Sequence, residues 1–221
     1  MSNIRHFEHT AGKYIQKIIG QDRLAFAQSD SNDFYDMLDW LESGGYQGSV
    51  ISFYDFENGK VYEPFTKKRN VMYSDPVFID GYYYFLQGDF NTKVMALYRF
   101  FPEDKLDIVT TFNTDELNLY NLRIIGSPLW VVSQGCNDHF ESYYPERFSF
   151  KLTPQESVEF IDGNRVYLDE WVEEGWDEEK DCATDEYKYY DRINIRDRSG
   201  KLISTEIGSL YQAPDGTWWV S

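Results

Sequence analysis

The sequence predicts an all-β chain built from repeated antiparallel hairpins. Three observations lead there. Short apolar and aromatic runs alternate with Gly, Pro, Asn and Asp turns along most of its 221 residues. The 18 Tyr, 16 Phe and 6 Trp sit mainly in those runs, where aromatic residues suit a pleated, half-buried surface. One hairpin pattern also recurs along the chain.

The recurring unit is an apolar strand, a Gly-containing turn, a second strand and a polar stop. It first reads Ile18-Ile19-Gly20, then Leu24-Ala25-Phe26-Ala27-Gln28. It returns as Phe78-Ile79-Asp80-Gly81 with Tyr83-Tyr84-Phe85-Leu86-Gln87, and as Ile124-Ile125-Gly126 with Trp130-Val131-Val132-Ser133-Gln134. The fourth copy is Phe160-Ile161-Asp162-Gly163 with Val166-Tyr167-Leu168-Asp169, and a shorter fifth is Pro214-Asp215-Gly216 with Trp218-Trp219-Val220. The Asp-Gly pairs suit tight hairpins, whose turns need the positive φ that Gly adopts cheaply.

Second hairpins are expected between these, with turns centred near residues 58, 103, 155 and 199, at intervals of 45, 52 and 44. A short helix is expected over residues 33–43, with Phe34, Met37, Leu38 and Leu41 on one face. Ser31, Asn32 or Asp33 would cap its start and Gly44-Gly45 would end it. The short interval between the third and fourth copies leaves Val158 and Ile161 serving two units at once.

A repeat of about 40–50 residues with two hairpins resembles the blade of a β-propeller. The resemblance is architectural, without Trp-Asp, Asp-box or kelch signatures. It implies a small propeller, five blades of antiparallel strands with one short helix insert, formed by a single domain over residues 1–221. Residues 4–9 and the C-terminal strands would share the closing blade and so remove exposed edges. The alternative is a large antiparallel meander or sandwich.

The polar stops Gln28, Gln87, Gln134 and Asp169 fall at equivalent places. The propeller resemblance would put them in a ring. There they would bind a polar ligand, or hydrogen-bond a neighbouring blade and set its spacing. Residues 169–186 hold ten carboxylates and one lysine. This segment reads as an acidic loop in which Trp171, Trp176, Asp177, Glu178 and Glu179 would dock a basic partner. It lacks the alternation of a calcium loop, so no metal is expected.

Net charge is −17, which disfavours nucleic acid as a partner. No apolar run nears the roughly 20 residues of a membrane helix. The first twenty residues are charged throughout, so no secretory leader is expected, and the cytoplasm is the expected location. Cys136 and Cys182 form no CxxC pair, and Cys136 with His139 lacks an orienting third group. No catalytic or cofactor motif occurs. The expected function is a non-catalytic interaction module that engages a protein partner. The alternative is a carbohydrate-binding protein or glycoside hydrolase, given the Tyr pairs and abundant carboxylates.

Overall fold

The computed structural model describes residues 4–9, 13–30, 33–135, 138–177 and 179–221. The chain is all-β with one short helix, and its strands form five separate antiparallel sheets. Sheet I holds β1 (Gln16–Lys17), β2 (Leu24–Gln28), β3 (Ile51–Asp55) and β4 (Val61–Tyr62). Helix α1 (Asp36–Glu42) interrupts the β2–β3 connection. It buries Met37, while Leu38 and Leu41 of the expected apolar face stay exposed. Ser31 and Asn32, the expected caps, lie outside the described residues. Asp33 does hold the entry, accepting Tyr35 N at 2.9 Å.

Sheet II holds β5 (Val71–Tyr73), β6 (Val77–Ile79), β7 (Tyr82–Asp89), β8 (Val94–Phe101) and β9 (Lys105–Asn113). Both β5 and β6 pair with β7, so they are one strand broken at residues 74–76. Asp80 and Gly81 both take positive φ, the tight turn their sequence suggests.

Sheet III holds β10 (Arg123–Ile125), β11 (Trp130–Gly135), β12 (His139–Tyr144) and β13 (Phe148–Lys151). Sheet IV holds β14 (Glu156–Asp162), β15 (Arg165–Asp177), β16 (Cys182–Asp197) and β17 (Leu202–Ile207). Sheet V is the hairpin β18 (Leu210–Gln212) and β19 (Trp218–Val220).

Each recurring hairpin of the sequence opens a different sheet. One assignment differs. The turn at residues 154–155 was expected to close a hairpin from β13 into Val158, but it passes between sheets. The partner of β13 is β12, with Phe140 opposite Phe150. Val158 therefore belongs only to sheet IV, opposite Leu168. A Pro-containing turn does not reveal whether it joins partners or neighbours. Residues 4–9 also depart from expectation: they form no strand, and Glu8 N donates to Gly59 O at the β3–β4 turn of sheet I.

The sheets bury their faces on one another. Phe26, Ile51 and Phe53 of sheet I meet Val71, Tyr83, Phe85 and Phe100 of sheet II. Met72, Leu86 and Leu97 of sheet II meet Ile124, Val131 and Tyr143 of sheet III. Trp130, Val132 and Phe140 of sheet III meet Val158, Ile161 and Leu168 of sheet IV. Phe160 of sheet IV stacks on Trp218 of sheet V, with centroids 4.8 Å apart. Sheet V also reaches sheet I, where Gly20 N donates to Pro214 O at 3.0 Å. Among the described residues, no helix is long and apolar enough to cross a membrane.

Phe53 is fully buried and its ring lies 4.7–6.2 Å from Tyr83, Phe85 and Phe100. Phe53→Ala leaves a cavity between sheets I and II and is expected to cost about 3–5 kcal/mol, measured by urea unfolding.

Candidate functional site

The break in the β5–β6 edge strand of sheet II creates the first candidate site. Pro76 has no N–H to give the ladder, and it holds Asp75 extended. Ser74 repairs the gap: its N donates to Leu86 O at 3.0 Å and its hydroxyl accepts Leu86 N at 2.9 Å. The Asp75 side chain is thereby turned out of the sheet, as breaks and bulges often do beside sites.

Asp75 lines a cavity of about 430 Å³ between sheets I, II and III. Gln28, Phe34, Val77, Asn121, Leu122 and Arg123 share its wall. A second cavity of about 470 Å³ also touches Asp75 and Val77, then extends to Gly20, Gly126 and the sheet V turn at Asp215 and Gly216.

The charged groups here are poorly compensated. Asp75 is open to water by surface area, yet it stands within a wall dense in protein. Loss of bulk solvent pushes its carboxyl above the usual range. Among the described residues it makes no ion pair, and its carboxylate accepts one hydrogen bond, from Gln28 Nε2 at 2.9 Å. Arg123 donates from Nη2 to Val158 O at 2.7 Å and likewise forms no ion pair. Burial pushes its guanidinium down, although Glu159 lies near enough to oppose that. Burial also raises Glu159 and Asp169.

The four polar stops do not meet. Gln28 lines the first cavity. Gln87 stays within its own sheet, donating to the Tyr73 hydroxyl at 3.3 Å. Gln134 reaches sheet IV, donating to Glu156 O at 2.8 Å and accepting Val158 N at 3.1 Å. Asp169 reaches sheet V, accepting Leu210 N at 2.9 Å. Three of the four thus tie one sheet to the next.

The second candidate lies in sheet IV. Residues 169–186 are not a loop, as expected, but the end of the β15–β16 hairpin. Glu170, Glu173 and Glu174 find cross-strand partners, which helps an acidic sequence pair. Glu174 bonds Lys188 Nζ and the Tyr190 hydroxyl, both at 2.8 Å, and Glu170 binds Arg192 at 2.7 Å. Edge strand β14 stops opposite Glu170, and β17 stops opposite Arg192. Apart from single bonds from Trp171 N to Gln155 O at 3.3 Å and from Gly208 N to Asp191 O at 3.0 Å, the described residues between 171 and 191 continue as a two-stranded arm with no further strand on either edge.

A bulge at Gly175, with φ +78°, shifts the register within the arm. One face then carries Trp176 against Tyr187 at 6.0 Å, and Tyr187 against Tyr189 at 6.4 Å. The Tyr187 hydroxyl donates to Glu173, two residues from Trp171 on the same face. Trp171, Trp176 and Tyr189 are 47%, 43% and 67% exposed. Asp177 organises the arm tip, accepting Glu179 N and Lys180 N at 3.1 Å and pairing with Lys180 Nζ. Glu178 and Cys136 lie outside the described residues.

Asp75, Arg123 and Glu159 were not singled out from the sequence. The available signals were Pro76 inside an apolar run, and a lone charge before Ile124-Ile125. Two buried carboxylates elsewhere are fully paired. Glu156 accepts Thr153 N, Asn194 Nδ2 and the Arg196 guanidinium, while Asp55 holds Arg23 at 2.9 Å. Compared with protein-family models and with curated proteins, the chain matches none.

Gln134→Ala removes both of the bonds that its side chain makes to sheet IV and strands two backbone groups. It is expected to lower stability by about 1–3 kcal/mol in urea unfolding. Asp75 offers a test of opposite sign. A raised folded-state pKa means that the folded protein holds its proton more tightly, so stability falls as pH rises through that range. Asp75→Asn is thus expected to raise the melting temperature near about pH 7, with the gain fading towards about pH 4. A lower melting temperature near neutrality would mark Asp75 as a structural residue.

Proposed function

We propose that this protein is a non-catalytic binding module that engages a basic protein partner through the acidic arm of sheet IV. The observation carrying this reading is the arm: a two-stranded extension with an exposed aromatic face. Residues 171–191 hold nine carboxylates against two lysines. Exposed Trp and Tyr side chains supply large contact area at low conformational cost, as interface anchors do. The surrounding carboxylates favour and steer a positively charged partner.

The scaffold we propose is a small five-bladed β-propeller within one domain, its fifth blade reduced to two strands. It is supported by the order of contacts, in which each sheet packs on the next and sheet V touches both sheet IV and sheet I. In that arrangement the two cavities that share Asp75 are parts of one axial space.

The test is capture of partners by the full chain, comparing wild type with the double variant Trp171→Ala/Trp176→Ala. Captured proteins should present basic surfaces and release as salt rises from about 0.1 M to about 1 M, where the screening length falls from about 10 Å to about 3 Å. The double variant should capture at least about tenfold less, the scale of losing hot-spot anchors. Partners indifferent to salt and to both substitutions would overturn the reading.

A further inference from the structure

The cavity between sheets I, II and III holds two opposite charges that do not neutralise each other. Among the described residues, Arg123 and Asp75 form no ion pair with one another or with any other side chain. A guanidinium carries five donors in a fork that suits a carboxylate, and Arg123 uses one Nη2 bond to a backbone carbonyl. The Asp75 carboxylate accepts a single bond from Gln28, which leaves lone pairs open to another donor.

We propose that this cavity binds a small zwitterion, an α-amino acid with an apolar side chain, its carboxylate on Arg123 and its ammonium on Asp75. Charge logic selects this class. A simple anion would meet Arg123 but also the carboxylates of Asp75 and Asp33 on the same wall. A simple cation would gain from Asp75 and lose to Arg123. A ligand with both charges satisfies each.

The remaining wall fits the rest of such a ligand. Phe34, Val77, Leu122 and Ile124 offer apolar surface for a side chain. Gln28 and Asn121 add amides that donate or accept as either end requires. Asn121 also sits at φ +49°, a region in which non-glycine residues are uncommon. A volume of about 430 Å³, within the about 300–1,000 Å³ usual for a ligand pocket, leaves room for a single amino acid. The arm plays no part in this site, so the two proposals stand or fall separately.

The experiment is titration calorimetry on the full chain with three probes: L-leucine, isopentylamine and 4-methylpentanoate. The second lacks the carboxylate of leucine and the third lacks its ammonium. Leucine should bind saturably, and each analogue should bind at least about tenfold more weakly, the scale of a lost charge-assisted contact. Arg123→Gln should weaken leucine binding about as much. Because Arg123 is largely buried, Asp75→Asn at the cavity surface carries the same test independently. Circular dichroism checks that each variant is folded. The proposal is overturned if leucine gives no binding at millimolar concentration, if the three probes bind alike, or if folded Asp75→Asn binds leucine as wild type does.

Discussion

No sheet in this protein is wide enough to bury its own faces, and that constraint organises everything else. A sheet of two to five short strands gains its core only by lying against another. The strands between two neighbours are consequently buried on both sides. β3 is buried at all five positions, and β2 at four of five. Alternation returns farther out, in β9 and β13, where one face meets water. β17 is exposed along its whole length. This gradient is why the inner runs read as continuous apolar stretches while the outer ones mix polar and apolar residues.

The hairpins were legible because their determinants are local. An Asp-Gly turn specifies φ within two residues, and the strands on either side carry their own aromatic signal. Sheet membership was harder, because the turn before Glu156 has the chemistry of a hairpin turn and the geometry of a crossover. The acidic arm was hidden for a related reason. Read along the chain, residues 169–186 are a run of carboxylates. Read across the ladder, Glu170 faces Arg192 and Glu174 faces Lys188. Those partners lie 14 to 22 residues away, and register cannot be seen in a single strand.

The arm's isolation also follows from pairing. Beyond Glu170 and Arg192 the flanking strands end, so past the single backbone bonds at Trp171 and Asp191 the described residues of the arm pair only with each other. Two strands alone are marginal in water. Here the ribbon continues a sheet anchored by the Glu156, Asn194 and Arg196 network, and Glu–Tyr and Glu–Lys contacts run along its length. Its aromatic residues add no core, as Trp171, Trp176 and Tyr189 remain open to solvent. An exposed aromatic stripe on an otherwise polar ribbon is what a partner would cover.

The strongest contrast is between two ways of placing charge among packed sheets. At Glu156 every element converges to satisfy one carboxylate: a backbone N–H, an amide and a guanidinium. At Asp75 and Arg123 the fold does the reverse. It breaks a strand to present the carboxylate, withdraws the guanidinium, and leaves the two unpaired across an open cavity. Burial works against both charged forms, the direction expected when a site is shaped for something other than stability. Neither residue stands out in the sequence, since a lone Asp before Pro and a lone Arg before an apolar strand read as ordinary surface. Their meaning comes from the cavity that three sheets make by packing together, and that packing exists because no sheet can bury itself.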